Sequence, residues 1–270
     1  MEGVLEILQY IELKIPKESF RLQIKELAEN ERMKFARKGL SDIFDILSEV
    51  SFLIRKPLDI EGLSGFSTYF EDQFIVFLNS NFTLGHERFT GAHELYHLIY
   101  NADILKKEKI LINTEKYKEE EDCAYVFASE FLMPEDYVKE VFYKIANVDK
   151  YSVVPRHIIR MQQYFKVSYK AMLKRLIQLD LCSFDKYDEL LDICSLKNVE
   201  RLQSLTEREG YSTDLIKKSK ETYIPKVYVE YLKANYERGN ISYKNLKRSL
   251  EFINLTPEQF GYENPGEEDY

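Results

Sequence analysis

Glycine and proline are scarce, ten and seven residues in a chain of 270, and that shortage favours helices. No apolar run reaches the roughly 18 residues that a membrane-spanning helix needs. Near the start, Glu2, Glu6 and Glu12 interrupt any signal-peptide core. The expectation is a cytoplasmic protein with no membrane association. Cysteine is equally sparse: Cys123, Cys182 and Cys194 are an odd number with no C-x-x-C spacing. This argues against a disulfide framework or a cysteine-rich zinc site and leaves buried free thiols as the expected state. Net positive charge is also missing. A formal charge of −8 disfavours nonspecific association with phosphate backbones, so direct nucleic-acid binding is not expected.

What is present is ordinary globular material, 44% hydrophobic and 31% charged, enough for one large domain or a central unit with smaller appendages. From Lys17 to about Ser51 apolar residues recur at helical spacing, with Ile43, Phe44, Ile46 and Leu47 as a stripe. Pro57 breaks that pattern. Gly62, Ser64 and Gly65 then mark a turn before two apolar runs, FSTYF and QFIVFLN, joined at Glu71-Asp72; they read as a β-hairpin. Helical spacing returns from about Thr83 through RFTGAHELYHLIYN. A lysine-rich stretch from Ala102 to Tyr117 reads as a surface excursion or lid, and a second helix is expected from Lys118 to Phe131. Pro134 suits the first turn of a further helix. Two helical patterns hinged at Phe165-Lys166-Val167-Ser168 have helix-turn-helix spacing. Gly210 and Pro225 punctuate the C-terminal helices, and NPGEEDY reads as a disordered acidic tail.

The chemistry concentrates in His93-Glu94-Leu95-Tyr96-His97. Residues four apart share a helix face, so the two imidazoles can aim at one point. Glu94 lies on the neighbouring arc, where it can take a proton from a water beside a metal without being a ligand. Phe89, Ala92, Leu98 and Ile99 around the motif are apolar, which places it on a substantially buried helix.

Two histidines leave a catalytic zinc one protein ligand short. In EEEDCAYVFASEFLMP, Ala124, Phe127, Ala128 and Phe131 form an apolar stripe, and Glu121 precedes it on the same face. A carboxylate facing inward is costly unless paired, and a dication pairs it. Glu119, Glu120, Asp122 and Glu130 compete for the role but fall mostly off the stripe and read as a solvated acidic helix start. Cys123 ranks below Glu121, because a thiolate lowers the Lewis acidity that hydrolysis needs and the residue is expected to point off the stripe.

These two motifs resemble the ImmA/IrrE family of metallo-endopeptidases. RFTGAHELYH, Arg88 to His97, is similar to that family's R-F-T-x-A-H-E-L-G-H, and the segment from Glu121 to Pro134 is similar to its E-x-x-A-N-x-F-A-x-x-L-L-M-P. With LSGF and IVFLNSN, the similarity covers roughly Ile43 to Leu181. The resemblance implies an α+β, predominantly helical, zincin-like fold with a small antiparallel sheet. It also implies zinc ligands at His93, His97 and Glu121, with Glu94 as base, the four residues chosen above on chemistry. The organisation expected is N-terminal helices with a zincin-like core over 1–135, a helix-turn-helix-like subdomain over 136–190 and a helical C-terminal region over 191–270. Tyr96 replaces the family's usual glycine and Tyr125 its usual asparagine, and the larger Tyr96 bears on the shape of the substrate cleft.

Members of the resembled family typically cut a helix-turn-helix repressor, relieving repression in stress responses or prophage induction, so that class of protein is the partner implied. His157 and Tyr151 are candidates for stabilising an oxyanion, and His86 is read as structural or supporting. Two other function classes compete. One is a DNA-binding regulator using Arg156, Arg160, Lys170, Lys174 and Arg175; the other is a non-proteolytic toxin or interaction module on the same fold.

Overall fold

A computed structural model describes residues 18–109 and 117–264. The stretch before Glu18, the middle of the lysine-rich segment and the acidic tail, all read above from sequence, lie outside the described residues.

Helix α1 (Glu18–Arg37) buries Ile24, Ala28, Glu31 and Phe35, a stripe at alternating spacings of three and four. Helix α2 (Ile43–Val50) buries Ile43, Ile46 and Leu47, and its N-cap Asp42 accepts from Phe44 N–H at 3.0 Å. Three short strands follow: β1 (Phe52–Lys56), β2 (Gly65–Phe70) and β3 (Gln73–Asn79).

β2 and β3 form the expected hairpin, with Phe70 opposite Gln73. Glu71 and Asp72 both take positive φ, 44° and 61°. That is the two-residue turn whose twist matches a hairpin. The sheet as a whole is mixed, correcting the expectation of an antiparallel one. Its order is β1-β3-β2, and β1 runs parallel to β3 with Phe52 opposite Ile75.

Helix α3 (Leu84–Tyr100) carries the H-E-x-x-H motif and lies between the sheet and helix α5 (Lys118–Leu132), which α1 covers from the other side. Short α4 (Ala102–Glu108) occupies the start of the lysine-rich stretch. After Pro134 come α6 (Glu135–Ile145), α7 (Pro155–Phe165) and α8 (Tyr169–Gln178), the last two forming the helix-turn-helix-like pair. The remaining helices are α9 (Tyr187–Asp192), α10 (Val199–Arg208), α11 (Lys226–Glu237) and α12 (Tyr243–Glu251). Among the described residues no helix is long and apolar enough to cross a membrane.

Buried apolar side chains gather into two clusters. One lies between Ile24 and Phe131 around α1, α3, α5 and the sheet; the other lies between Met133 and Leu202. A buried ion pair ties them together: Arg175 of α8 meets Glu130 of α5 at 2.7 Å, with both side chains 2% exposed. Arg175 also donates from Nε to the Met133 carbonyl at 3.0 Å. Glu130 and Asp122 are therefore not part of a solvated helix start, as the sequence suggested, but are buried. Cys123 is buried too, with its thiol in hydrogen-bond contact with Tyr96 and its pKa pushed up to about 11, chiefly by burial.

Gly85 sets the approach of α3 to α8. A Cβ there would lie 2.5 Å from the Ser168 nitrogen and 2.6 Å from the Val167 carbonyl carbon. Only glycine lets the motif helix begin this close to the turn between α7 and α8.

Candidate metal centre

Thr83 caps the motif helix, its hydroxyl accepting from His86 N–H at 3.4 Å. Two ion pairs then anchor the first turns. Glu87, fully buried, accepts from Arg55 Nε at 2.7 Å and Nη2 at 3.2 Å, and from the Ser219 hydroxyl at 2.8 Å. Arg88, the arginine of the R-F-T motif, pairs with Asp42 at 2.7 Å. Burial alone would raise the Asp42 pKa. The Arg88 hydrogen bond and charge, with the Phe44 amide, outweigh it and hold Asp42 below its ordinary value.

With α3 fixed, His93 and His97 fall on the face toward α5. Their Nε2 atoms stand 3.2 Å apart. Glu121 reaches across from α5, with Oε2 3.2 Å from His93 Nε2 and Oε1 3.5 Å from His97 Nε2. One ligand atom from each of the three lies within 4.8 Å of the others, so this is a possible metal site. The structure thus brings together the three residues singled out as ligands. Two borderline nitrogens and one hard oxygen make a donor set suited to zinc, with room for a substrate group in a fourth position.

Asn101, which the sequence reading passed over, supports the site from behind. Its Oδ1 lies 2.9 Å from His97 Nδ1, and both side chains are buried. Donation from Nδ1 to that oxygen leaves the Nε2 lone pair free for a metal. Burial, then the neighbouring His93 charge, lowers the His97 pKa below its ordinary value, which favours the neutral ring that a metal ligand requires.

Glu94 lines the same cleft and is 6% exposed. Ser67, on β2 and also unremarked in the sequence, donates from Oγ to Glu94 Oε2 at 2.7 Å. Burial raises the Glu94 pKa, while the His93 charge and the Ser67 hydrogen bond oppose that rise. A carboxylate poised upward in this way is suited to accept and return a proton.

The cleft, about 710 Å³, runs from these residues past Gly65 and Phe66 of β2 toward α8 and the segment around Leu215. Tyr96 is not among its lining residues. It packs in the core against Tyr100 and Phe127, so the bulk that replaces glycine does not intrude on the cleft. Tyr125 does line it, edging Phe89 at 5.1 Å between ring centroids. His86 lines it as well, within hydrogen-bond distance of Ser64 Oγ at 2.9 Å and stacked on Phe82.

The structure does not bring the two oxyanion candidates to the site. His157 is buried at the start of α7, where its Nδ1 accepts from the Val154 amide at 3.3 Å, a helix-capping contact. Tyr151 is 62% exposed. Neither lines the cleft.

An H-E-x-x-H helix whose histidines converge with a carboxylate from a second helix, beside a small sheet, defines a metallopeptidase-type domain. The family comparison points the same way: residues 52–177 match the model of the IrrE N-terminal-like domain, Peptidase_M78, of the ImmA/IrrE family. No curated protein matches the chain significantly.

Proposed function

We propose that the protein is a zinc-dependent endopeptidase, and that its substrate is a helix-turn-helix transcriptional repressor. The observation that carries the hydrolase reading is the convergence of His93, His97 and Glu121 beside a second, non-ligand carboxylate, Glu94. His93, His97 and Glu121 would hold the ion. When bound, zinc supplies a Lewis acid for the scissile carbonyl and lowers the pKa of water at the site. Glu94 takes the proton of the attacking water and returns it to the leaving amine, and Ser67 keeps its carboxylate aimed during both transfers. β2 is an edge strand, and it contributes Gly65 and Phe66 to the cleft wall. An extended peptide laid along that wall would be held near Glu94.

The repressor as substrate rests on the family resemblance. The DNA-binding alternative draws little support from its five basic residues. Arg160 is paired with Glu209 at 2.6 Å and Arg175 is buried against Glu130. Lys170 and Lys174 face the cleft. The test is to incubate the zinc-loaded protein with a candidate repressor, with and without chelator, and to map products by mass spectrometry. A single metal-dependent cut in the repressor is expected. An intact repressor beside cleavage of an unstructured peptide would overturn the substrate assignment, and no cleavage of either would overturn the peptidase reading.

A further inference from the structure

Part of the cleft wall is built by chain that lies beyond the matched family domain. Val199, Leu202, Leu215 and Ile216 all line it, together with Phe82 and Phe89 of the domain itself. The segment bearing Leu215 and Ile216 is strapped to the start of the motif helix by backbone bonds. Leu84 N–H donates to Lys217 O at 3.1 Å, Ser219 N–H to Phe82 O at 3.3 Å and Lys220 N–H to Ser80 O at 2.9 Å. The strap is thus in place as a fixed wall, and it presents apolar side chains.

Charge supplies a second, independent observation. Within a chain of net charge −8, the only carboxylates lining the cleft among the described residues are Glu94 and Glu121 of the candidate metal centre. Away from that centre the charged lining residues are Lys170 and Lys174, both from α8. Lys170 is exposed, and among the described residues it has no ion-pair partner. Away from the candidate metal centre, the α8 side of the cleft is therefore lined by cationic groups beside apolar side chains, opposite in sign to the net charge of the chain.

We infer that this cleft selects peptide segments carrying a large aliphatic or aromatic side chain, seated against Leu202, Leu215 and Ile216, together with an acidic residue that meets Lys170. The C-terminal region outside the family domain thereby sets the apolar part of the preference, and Lys170 within the domain sets the acidic part. The inference deepens the peptidase reading and, as a statement about substrates, rests on it.

Binding separates the two ideas. Fluorescein-labelled decapeptides of equal net charge, carrying Leu or Ser at the centre and Glu or Lys scanned along the flanks, are titrated by anisotropy into the zinc-loaded Glu94→Gln protein. Replacing Leu by Ser is expected to weaken binding on the order of tenfold or more, the scale of a buried aliphatic side chain. At the best flank position Glu is expected to exceed Lys by about tenfold, since a partly exposed charge is exchanged from attraction to repulsion. Lys170→Glu should reverse the flank preference, and Ile216→Ala should blunt the preference for Leu. Binding indifferent to the central residue, a flank preference unchanged by Lys170→Glu, or no binding by any peptide overturns the inference. If the expected selectivity appears but the parent protein cuts none of the bound peptides, the cleft assignment stands and the peptidase reading falls.

Discussion

Replacing Asn101 by alanine should weaken zinc binding while leaving every candidate ligand in place. His97 Nδ1 and Asn101 Oδ1 stand 2.9 Å apart, and the two residues are 2% and 7% exposed. Water therefore has little access to replace the lost acceptor. Without it the ring can adopt the other tautomer, which puts a proton on the nitrogen that faces Glu121. Removing such a supporting partner typically costs about 10- to 100-fold in metal affinity, or about 1.4–2.8 kcal/mol. The metal-free fold also loses a buried hydrogen bond, for which about 1–3 kcal/mol is expected. Two measurements keep these effects apart: competition against a chromophoric chelator for zinc affinity, and urea unfolding of the metal-free protein for stability. Asn101→Asp retains an acceptor and should hold zinc much closer to the parent than Asn101→Ala does. An Asn101→Ala protein within twofold of the parent in zinc affinity would refute the role given to this contact.

Gly85→Ala should lower thermal stability sharply, because the new Cβ meets backbone atoms at 2.5 and 2.6 Å that cannot swing aside; a loss of about 1–3 kcal/mol or more is expected, and an unchanged melting temperature would contradict it. Arg175→Met alone strands Glu130 in the interior and should cost about 3–5 kcal/mol in urea unfolding, whereas Arg175→Met with Glu130→Leu should recover most of that loss. The acid limb of stability should contain a share from Asp42. Its folded pKa lies below the ordinary 3.8, so its contribution is fully present above that value and is lost as pH falls through the folded pKa. Asp42→Asn should therefore be less stable than the parent from neutral pH down to about 4 and converge with it at lower pH; a gap that does not close on acidification would contradict the Asp42–Arg88 assignment.

Local signals carried the fold as far as they reach. The hairpin was legible because FSTYF and QFIVFLN flank a two-residue acidic turn, and α3 was legible from Thr83 because capping and apolar spacing coincide there. β1 was not. It is five residues long, follows closely on α2, and pairs in parallel with β3, from which β2 separates it in sequence but not in the sheet, so no local turn marks it. The candidate site divides in the same way. Glu121 could be found because the α5 stripe fixes its face, whereas Asp122 and Glu130 were misjudged, the latter because Arg175, 45 positions away, supplies the charge that allows its burial. Asn101 had one faint signal, an amide four residues after His97 on the same helical face, and Ser67 had none, since only the tertiary packing of β2 on α3 brings it to Glu94.

The most direct test compares the parent with Glu94→Gln, both loaded with zinc, on the same peptide substrate. Metal content by inductively coupled plasma mass spectrometry and the rate of hydrolysis are measured on the same samples. Since Glu94 is a base and not a ligand, both proteins should hold one zinc ion, and the variant should hydrolyse the peptide at least about 100-fold more slowly. Equal rates in the two proteins, or a zinc ion retained after His93, His97 and Glu121 are all replaced by alanine, would contradict the assignment of this site.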